Sequence, residues 1–311
     1  MSKKHIVLIF GTAAISGFSI FLNSYAVQLA NPNAYTFAKN LVPVFIASTL
    51  LFLPKSRHHF KNISARDWLY LAFIGIIGGG VAFILFFNGL AKTSPGMGSF
   101  IHKTLFIWIA LGALMFLKET VKPFFFVAAL ALLAGNFLLL GVKFNTLTVY
   151  HFLILGATLL WATENVLAKY VLNKGISPLI VIWSRMTFGA LAILVYLAAT
   201  HNLFSPADFS KEVLLWILIT GVMLTGYVFT WYYGMSRAPV TLASTILLLG
   251  SPITMGIAAL FQGKTIAPLQ AGGILLIVLS VGAIVYLFSG ITREMQKRMA
   301  QNQIAKKAEI A

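Results

Sequence analysis

Ten stretches of about 20 mostly apolar residues follow one another along the 311-residue chain, at approximately 6–29, 34–53, 68–91, 96–117, 122–142, 150–172, 178–199, 213–236, 240–262 and 267–290. About 20 such residues let a helix cross a hydrocarbon core roughly 30 Å thick. Lipid cannot satisfy backbone polar groups, and these runs are too long for barrel strands, so each is predicted to be a transmembrane α-helix. The intervals leave no room for a soluble domain. Composition agrees: 59% of residues are hydrophobic and 10% charged, against about 25% charged in soluble globular proteins, and mean hydropathy is +0.90. The chain has no cysteine, which excludes disulfides and thiolate metal sites.

The net charge of +16 raises nucleic acid as a partner, but the basic residues are spread over many loops rather than gathered in one patch, so none is expected. Their distribution fits membrane orientation. With the N-terminus taken as cytoplasmic and the sides alternating, 16 of the 23 Lys and Arg fall on the cytoplasmic side. Four (Lys92, Lys143, Lys211 and Lys264) fall outside, and Lys39, Lys103 and Arg185 lie within spans. Both termini are therefore expected in the cytoplasm, with a basic tail at 291–311.

The chain also repeats itself. "FFNGLAKTSPGMGSFIHKTLFIWIALGALMFLKETVKP" (86–123) lies without a gap on "WYYGMSRAPVTLASTILLLGSPITMGIAALFQGKTIAP" (231–268) at an offset of 145. Gly89/Gly234, Lys92/Arg237, Ser99/Ser244, Thr120/Thr265 and Pro123/Pro268 coincide; His5/His151, Pro32/Pro178 and Lys39/Arg185 pair at 146. Two five-helix units result, 1–145 and 146–290. Five is odd, so the second unit enters the membrane from the opposite side, giving inverted repeats, an architecture of alternating-access transporters. The basic start and "SYA" of the first stretch suggest a signal peptide, but helix 1 has a counterpart in helix 6 and belongs to the unit.

These repeats, with "SPLIVIWSRMTFGAL" (177–191) and "YYGMSRAPVTLASTILLLGSPITMGIAALFQGKTIAPLQAGGILLIVLSVGAIV" (232–285), resemble the drug/metabolite transporter superfamily, specifically its ten-helix EamA-type exporters and permeases. The resemblance covers roughly residues 6–288. It implies an all-α integral membrane fold and secondary transport of metabolites, from amino acids and nucleobases to, in the wider superfamily, sugar phosphates. It also implies that a basic residue belongs at the Lys39 and Arg185 positions. The prolines expected in the fourth and ninth helices are represented by Pro252 in one and replaced by Ile107 in the other.

A charged group near the bilayer centre costs about 2.5–3.5 kcal/mol or more on insertion scales, so each is expected to face the bundle interior. The intramembrane polar set is Lys39, Asn40, Asn88, His102, Lys103, Glu164, Asn165 and Arg185. Lys39 and Arg185 are candidate substrate ligands or structural cations held by carbonyls. Ser99, His102, Lys103 and Phe106 fall at i, i+3, i+4 and i+7 and are predicted to form one face toward a central cavity. His102 could bind ligand or bond a neighbouring helix, and Trp108 is expected in the core. Glu164 has three open roles: counter-ion to Lys103 or Lys39, proton carrier, or partner of a substrate ammonium. Trp161, Tyr227 and Trp231, with Tyr232 and Tyr233, are candidate wall residues for a partly apolar ligand.

Three cations against one acid leave the interior with an excess of positive charge, which points to an anionic or zwitterionic small molecule, with amino acids the first expectation. No ATPase motif, cofactor, metal site or catalytic residue is read from the chain. A secondary transporter in a prokaryotic plasma membrane, working as an exporter, is the leading expectation. Helices 5 and 10 are expected to act as support and as a candidate homodimer contact, with membrane lipid as the other partner. A sugar-phosphate or lipid-linked cargo is the alternative. An enzyme acting on a lipid phosphate would call for clustered carboxylates that the spans lack.

Overall fold

The computed structural model describes residues 3–26, 29–60, 63–90, 92–93, 95–141, 147–201 and 210–308. These form ten helical rods: α1 (Lys3–Ala26), α2 (Pro32–Phe52), α3 (Ala65–Leu90), α4 (Pro95–Lys103 and Leu105–Phe116), α5 (Phe124–Leu140), α6 (Val149–Asn173), α7 (Pro178–Ala199), α8 (Lys211–Met235), α9 (Val240–Gln262) and α10 (Pro268–Ala308). Nine contain spans long and apolar enough to cross a membrane, and α5, at 17 residues, is shorter. The protein is a multi-pass membrane protein. The basic tail extends α10 as helix through Ala308.

Matching helix starts reflect matching sequence. Asn31 caps α2, its side chain accepting from the Asn33 and Ala34 N–H groups, with Pro32 in the first turn. Ser177 caps α7 in the same way, with Pro178 following it. In each case a side-chain oxygen satisfies an orphan amide, and proline occupies a position where its missing N–H costs nothing. Ser64 and Asp67 form a reciprocal capping box at the start of α3. Asp67 also pairs with Lys174, just beyond α6, and this hydrogen bond raises the Lys174 pKa.

The principal contacts join opposite repeats. α1 packs on α8 and α9, and its counterpart α6 packs on α3 and α4; α2 crosses α7, and α5 lies along α10. This is the arrangement that a pseudo-two-fold axis in the membrane plane requires. We call the face where α1 begins proximal and the opposite face distal. Large apolar side chains such as Phe45, Leu260 and Tyr286 are exposed on the outside of the bundle, as a lipid-facing surface demands.

Glycine brings the helices together. A Cβ on Gly79 would lie 2.3 Å from the Arg185 carbonyl oxygen and 2.9 Å from the Gly189 Cα, and one on Gly273 would lie 2.7 Å from the Gly135 carbonyl oxygen. These are backbone-to-backbone approaches that only small residues permit. The run Gly78, Gly79 and Gly80 belongs to a π-helical turn, Gly75–Val81, with the Ala82 N–H reaching back five residues to the Ile77 carbonyl.

Candidate functional site

The π-helical turn of α3 is where the polar residues of the interior converge. Its Gly78 carbonyl accepts from Trp161 Nε1 at 2.8 Å and from Arg185 Nη2 at 3.3 Å, and the Gly79 carbonyl accepts from Asn40 Nδ2 at 3.5 Å. Such turns often mark functional positions. A carbonyl has two lone pairs, and glycine leaves the second uncovered.

Beside this turn lies a buried charged triad. Tyr232 donates to Glu164 Oε1 at 2.5 Å, and Arg185 Nε stands 3.6 Å from the same oxygen. Glu164 is 1% exposed, with its Cγ only 2.3 Å from where a Cβ on Gly78 would sit. The guanidinium also rests over the Phe83 ring, 5.8 Å from its centroid. The partner of Glu164 is therefore Arg185, rather than Lys39 or Lys103 as the sequence suggested. The difference follows from packing: α6, α7 and α8 bring Glu164, Arg185 and Tyr232 together at this point, whereas Lys39 turns to Asn23 and Lys103 to a cavity away from it. A ladder continues from the triad, in which Trp231 Nε1 donates to Asn165 Oδ1 at 2.8 Å and Asn165 Nδ2 to the Trp161 carbonyl at 2.8 Å. Tyr227 stacks on Trp231.

The two lysines are held differently. Lys39 donates to Asn23 Oδ1 at 3.1 Å and lies over the Tyr35 and Phe87 rings, 5.5 and 5.7 Å from their centroids. Its partner is a side-chain amide and two ring faces, instead of the carbonyls the sequence suggested. Lys103 is 8% exposed, and no carboxylate among the described residues lies within ion-pair distance of it.

Lys103 lines a cavity of about 340 Å³. The cavity runs inward from Gln262, Lys264 and Gln270, at the distal ends of α9 and α10, to Ser99, Lys103 and Ser251. The Ser251 hydroxyl is buried and has no hydrogen-bond partner among the described residues.

The predicted single face on α4 is divided. Ser99 and Lys103 turn to the cavity, whereas His102 packs edge-on against Trp161, 4.9 Å between ring centroids, and against Phe86. Phe106 is core. Successive residues point about 100° apart on a helix, so His102 and Lys103 lie on opposite sides of Ser99 within one segment. The break at Thr104, whose N–H and hydroxyl both turn back to the Ile101 carbonyl, shifts the register of Phe106 in the next segment. Trp108, expected in the core, is 37% exposed, with its Nε1 donating to the Thr104 hydroxyl at 3.2 Å. Asn88 is half-buried on α3, apart from the triad contacts.

Sequence reasoning missed Lys169 and Glu119. Lys169, counted with the cytoplasmic cations, is buried in α6 and donates to the Met235 carbonyl at 2.9 Å. Glu119 accepts from the Val240 and Thr241 amides at 2.8 and 3.2 Å, capping α9 from the other repeat. Its place just before the "TVKP" that matches "TIAP" was the one available signal.

A model of the EamA-like transporter family matches residues 3–141 and again residues 148–286. A solved crystal structure superposes with a TM-score of 0.77 over 93% of this chain and 99% of its own, at 16% sequence identity; at that identity the likeness speaks for the fold alone. Comparison with curated proteins gives no match.

Proposed function

Because the chain belongs to the EamA-like transporter family, a family of transporters, we propose that it moves small organic anions or zwitterions across a plasma membrane by alternating access, and that it does so as an exporter. The observation that carries the anionic part is Lys103, a buried ammonium on a cavity wall with no acid partner among the described residues. Such a group is costly to keep in the membrane without a counter-charge, and a substrate carboxylate would supply one. Amino acids, related carboxylates and sugar-phosphate-like anions all meet that requirement.

In this reading both termini face the cytoplasm, so the distal cavity faces outward and serves release. The engagement of Glu164 by Arg185 and Tyr232 favours a fixed counter-ion over a carrier of protons. Lys39, cushioned by rings and one amide, would be a second anion contact reached when the helices rearrange.

The test is a thermal-shift screen of purified protein against amino acids, organic acids, sugar phosphates and nucleotides, followed by uptake in liposomes. A ligand that stabilises the wild type should bind Lys103→Ala at least about tenfold more weakly, equivalent to ~1.4 kcal/mol. Equal stabilisation of both proteins, or stabilisation by cations alone, would make Lys103 structural and the proposal wrong.

A further inference from the structure

The distal cavity carries information beyond the sign of its ligand. Of its polar wall groups, several are already committed. The Thr254 hydroxyl donates to the Gly17 and Gly250 carbonyls at 2.9 and 2.8 Å. Gln270 donates to the Leu139 carbonyl at 3.3 Å and accepts from the Ala267 N–H at 3.0 Å, and Gln262 donates to the Tyr25 hydroxyl. Ser99, Lys103 and the Ser251 hydroxyl, which has no partner among the described residues, remain at the inner end, with Lys264 at the mouth. The rest of the wall is largely apolar, including Ile20, Phe21, Leu139, Met255 and Ala258.

No carboxylate lines this space among the described residues. The one acid inside the membrane, Glu164, is sealed behind Arg185 and Tyr232 and is not part of the wall. An amino acid entering here would meet an ammonium for its carboxylate, but its own ammonium would be desolvated between two lysines with no acid to receive it. A buried charge without a partner is strongly unfavourable.

We infer that the distal cavity selects an amphipathic organic monoanion, a carboxylate on an apolar body with no amino group, over the matching amino acid. The inference rests on the anion-transport reading above and narrows it. Lys103 takes the carboxylate, the Ser251 hydroxyl, buried just behind the wall and unpartnered among the described residues, turns to join it, and the apolar wall takes the body. A volume of about 340 Å³ lies at the small end of the roughly 300–1,000 Å³ typical of small-molecule sites.

The experiment uses a matched set of probes, 3-phenylpropionate, L-phenylalanine and phenethylamine, titrated into full-length protein in lipid nanodiscs. The expected result is that 3-phenylpropionate binds at least about tenfold more tightly than L-phenylalanine and that phenethylamine does not bind. Binding of the acid should fall at least tenfold in Lys103→Ala and survive in Lys103→Arg. Ser251→Ala, which leaves every charge in place, should weaken the acid severalfold and keep the protein testable if Lys103→Ala does not fold. L-Phenylalanine binding as tightly as the acid, with the same dependence on Lys103, would overturn this inference and leave the anion reading standing. Binding that is indifferent to Lys103 would overturn both. Failure of all three probes to bind would overturn the inference, since the apolar wall is what it relies on.

Discussion

Glu164 and Arg185 are two buried charges whose value lies in each other. Taking both out of water costs several kcal/mol apiece, and leaving one behind unpaired is worse than removing both, by about 3–5 kcal/mol in soluble proteins. Glu164→Gln and Arg185→Gln should therefore each lower the melting temperature in detergent by several degrees, while the double variant should recover part of the loss. Additive losses in that cycle would mean the pair is not coupled. The composition of this site was legible: one acid and three cations stand out in an apolar chain. Which cation the acid would choose was not, because it depends on how α6, α7 and α8 meet. The repeat alignment explains the choice afterwards. Counterparts of Arg185, Tyr232 and Glu164 in the first repeat are Lys39, Phe87 and Phe18, so Lys39 meets a ring where Arg185 meets a phenol and a carboxylate. The Gly78 carbonyl had no sequence signal at all, since every residue has one.

At the scale of elements, both α4 and α9 are interrupted, at Thr104 and at the 3₁₀ turn Leu247–Leu249, positions related by the same offset of 145. In α9 the cause is readable: Pro252 lacks an N–H and its ring crowds the carbonyl of residue 248. In α4 the proline is replaced by Ile107, yet the break persists, with the Thr104 hydroxyl bonded to the Ile101 carbonyl at 2.7 Å in the manner by which Ser and Thr compete with the helical ladder. The sequence spoke for an unbroken helix here, and placing Phe106 on the same face as Ser99 and Lys103 depended on that. A second asymmetry concerns Glu119, which clasps two orphan amides at the start of α9. The corresponding distal residues are Lys264 for the carboxylate and Pro95 and Gly96 for the amides. A lysine cannot accept and a proline cannot donate, so these three residues cannot form the same clasp on the distal face. Glu119→Ala should loosen the proximal face. Maleimide labelling of a cysteine placed at the buried Ala238 should then rise severalfold, with no background because the chain has no native cysteine. Unchanged labelling would show that Glu119 merely caps the helix.

For the molecule as a whole, the number of helices, the duplication and the inversion were all legible, because hydrophobic length and repeat parity depend on chain order alone. How deeply the halves interlock was not. Since the principal contacts pair α1 with α8, α3 with α6, α2 with α7 and α5 with α10, neither half keeps its neighbours when alone. Residues 1–145 and 146–311 expressed separately should be degraded, and when co-expressed should co-purify as a complex that binds the same ligand as the intact chain. Either half surviving alone as a monodisperse protein would contradict this.

The meeting of Gly79 with Gly189 has one more implication. At that crossing of α3 and α7, one from each half, main chain touches main chain. Elsewhere, interdigitated side chains act as gear teeth, and turning one helix against another means lifting each tooth over its neighbour. At Gly79 there is no tooth to lift. The contact there is a plain bearing rather than a gear, flanked by Phe188 and Ala192 and tied across by the Arg185–Gly78 hydrogen bond.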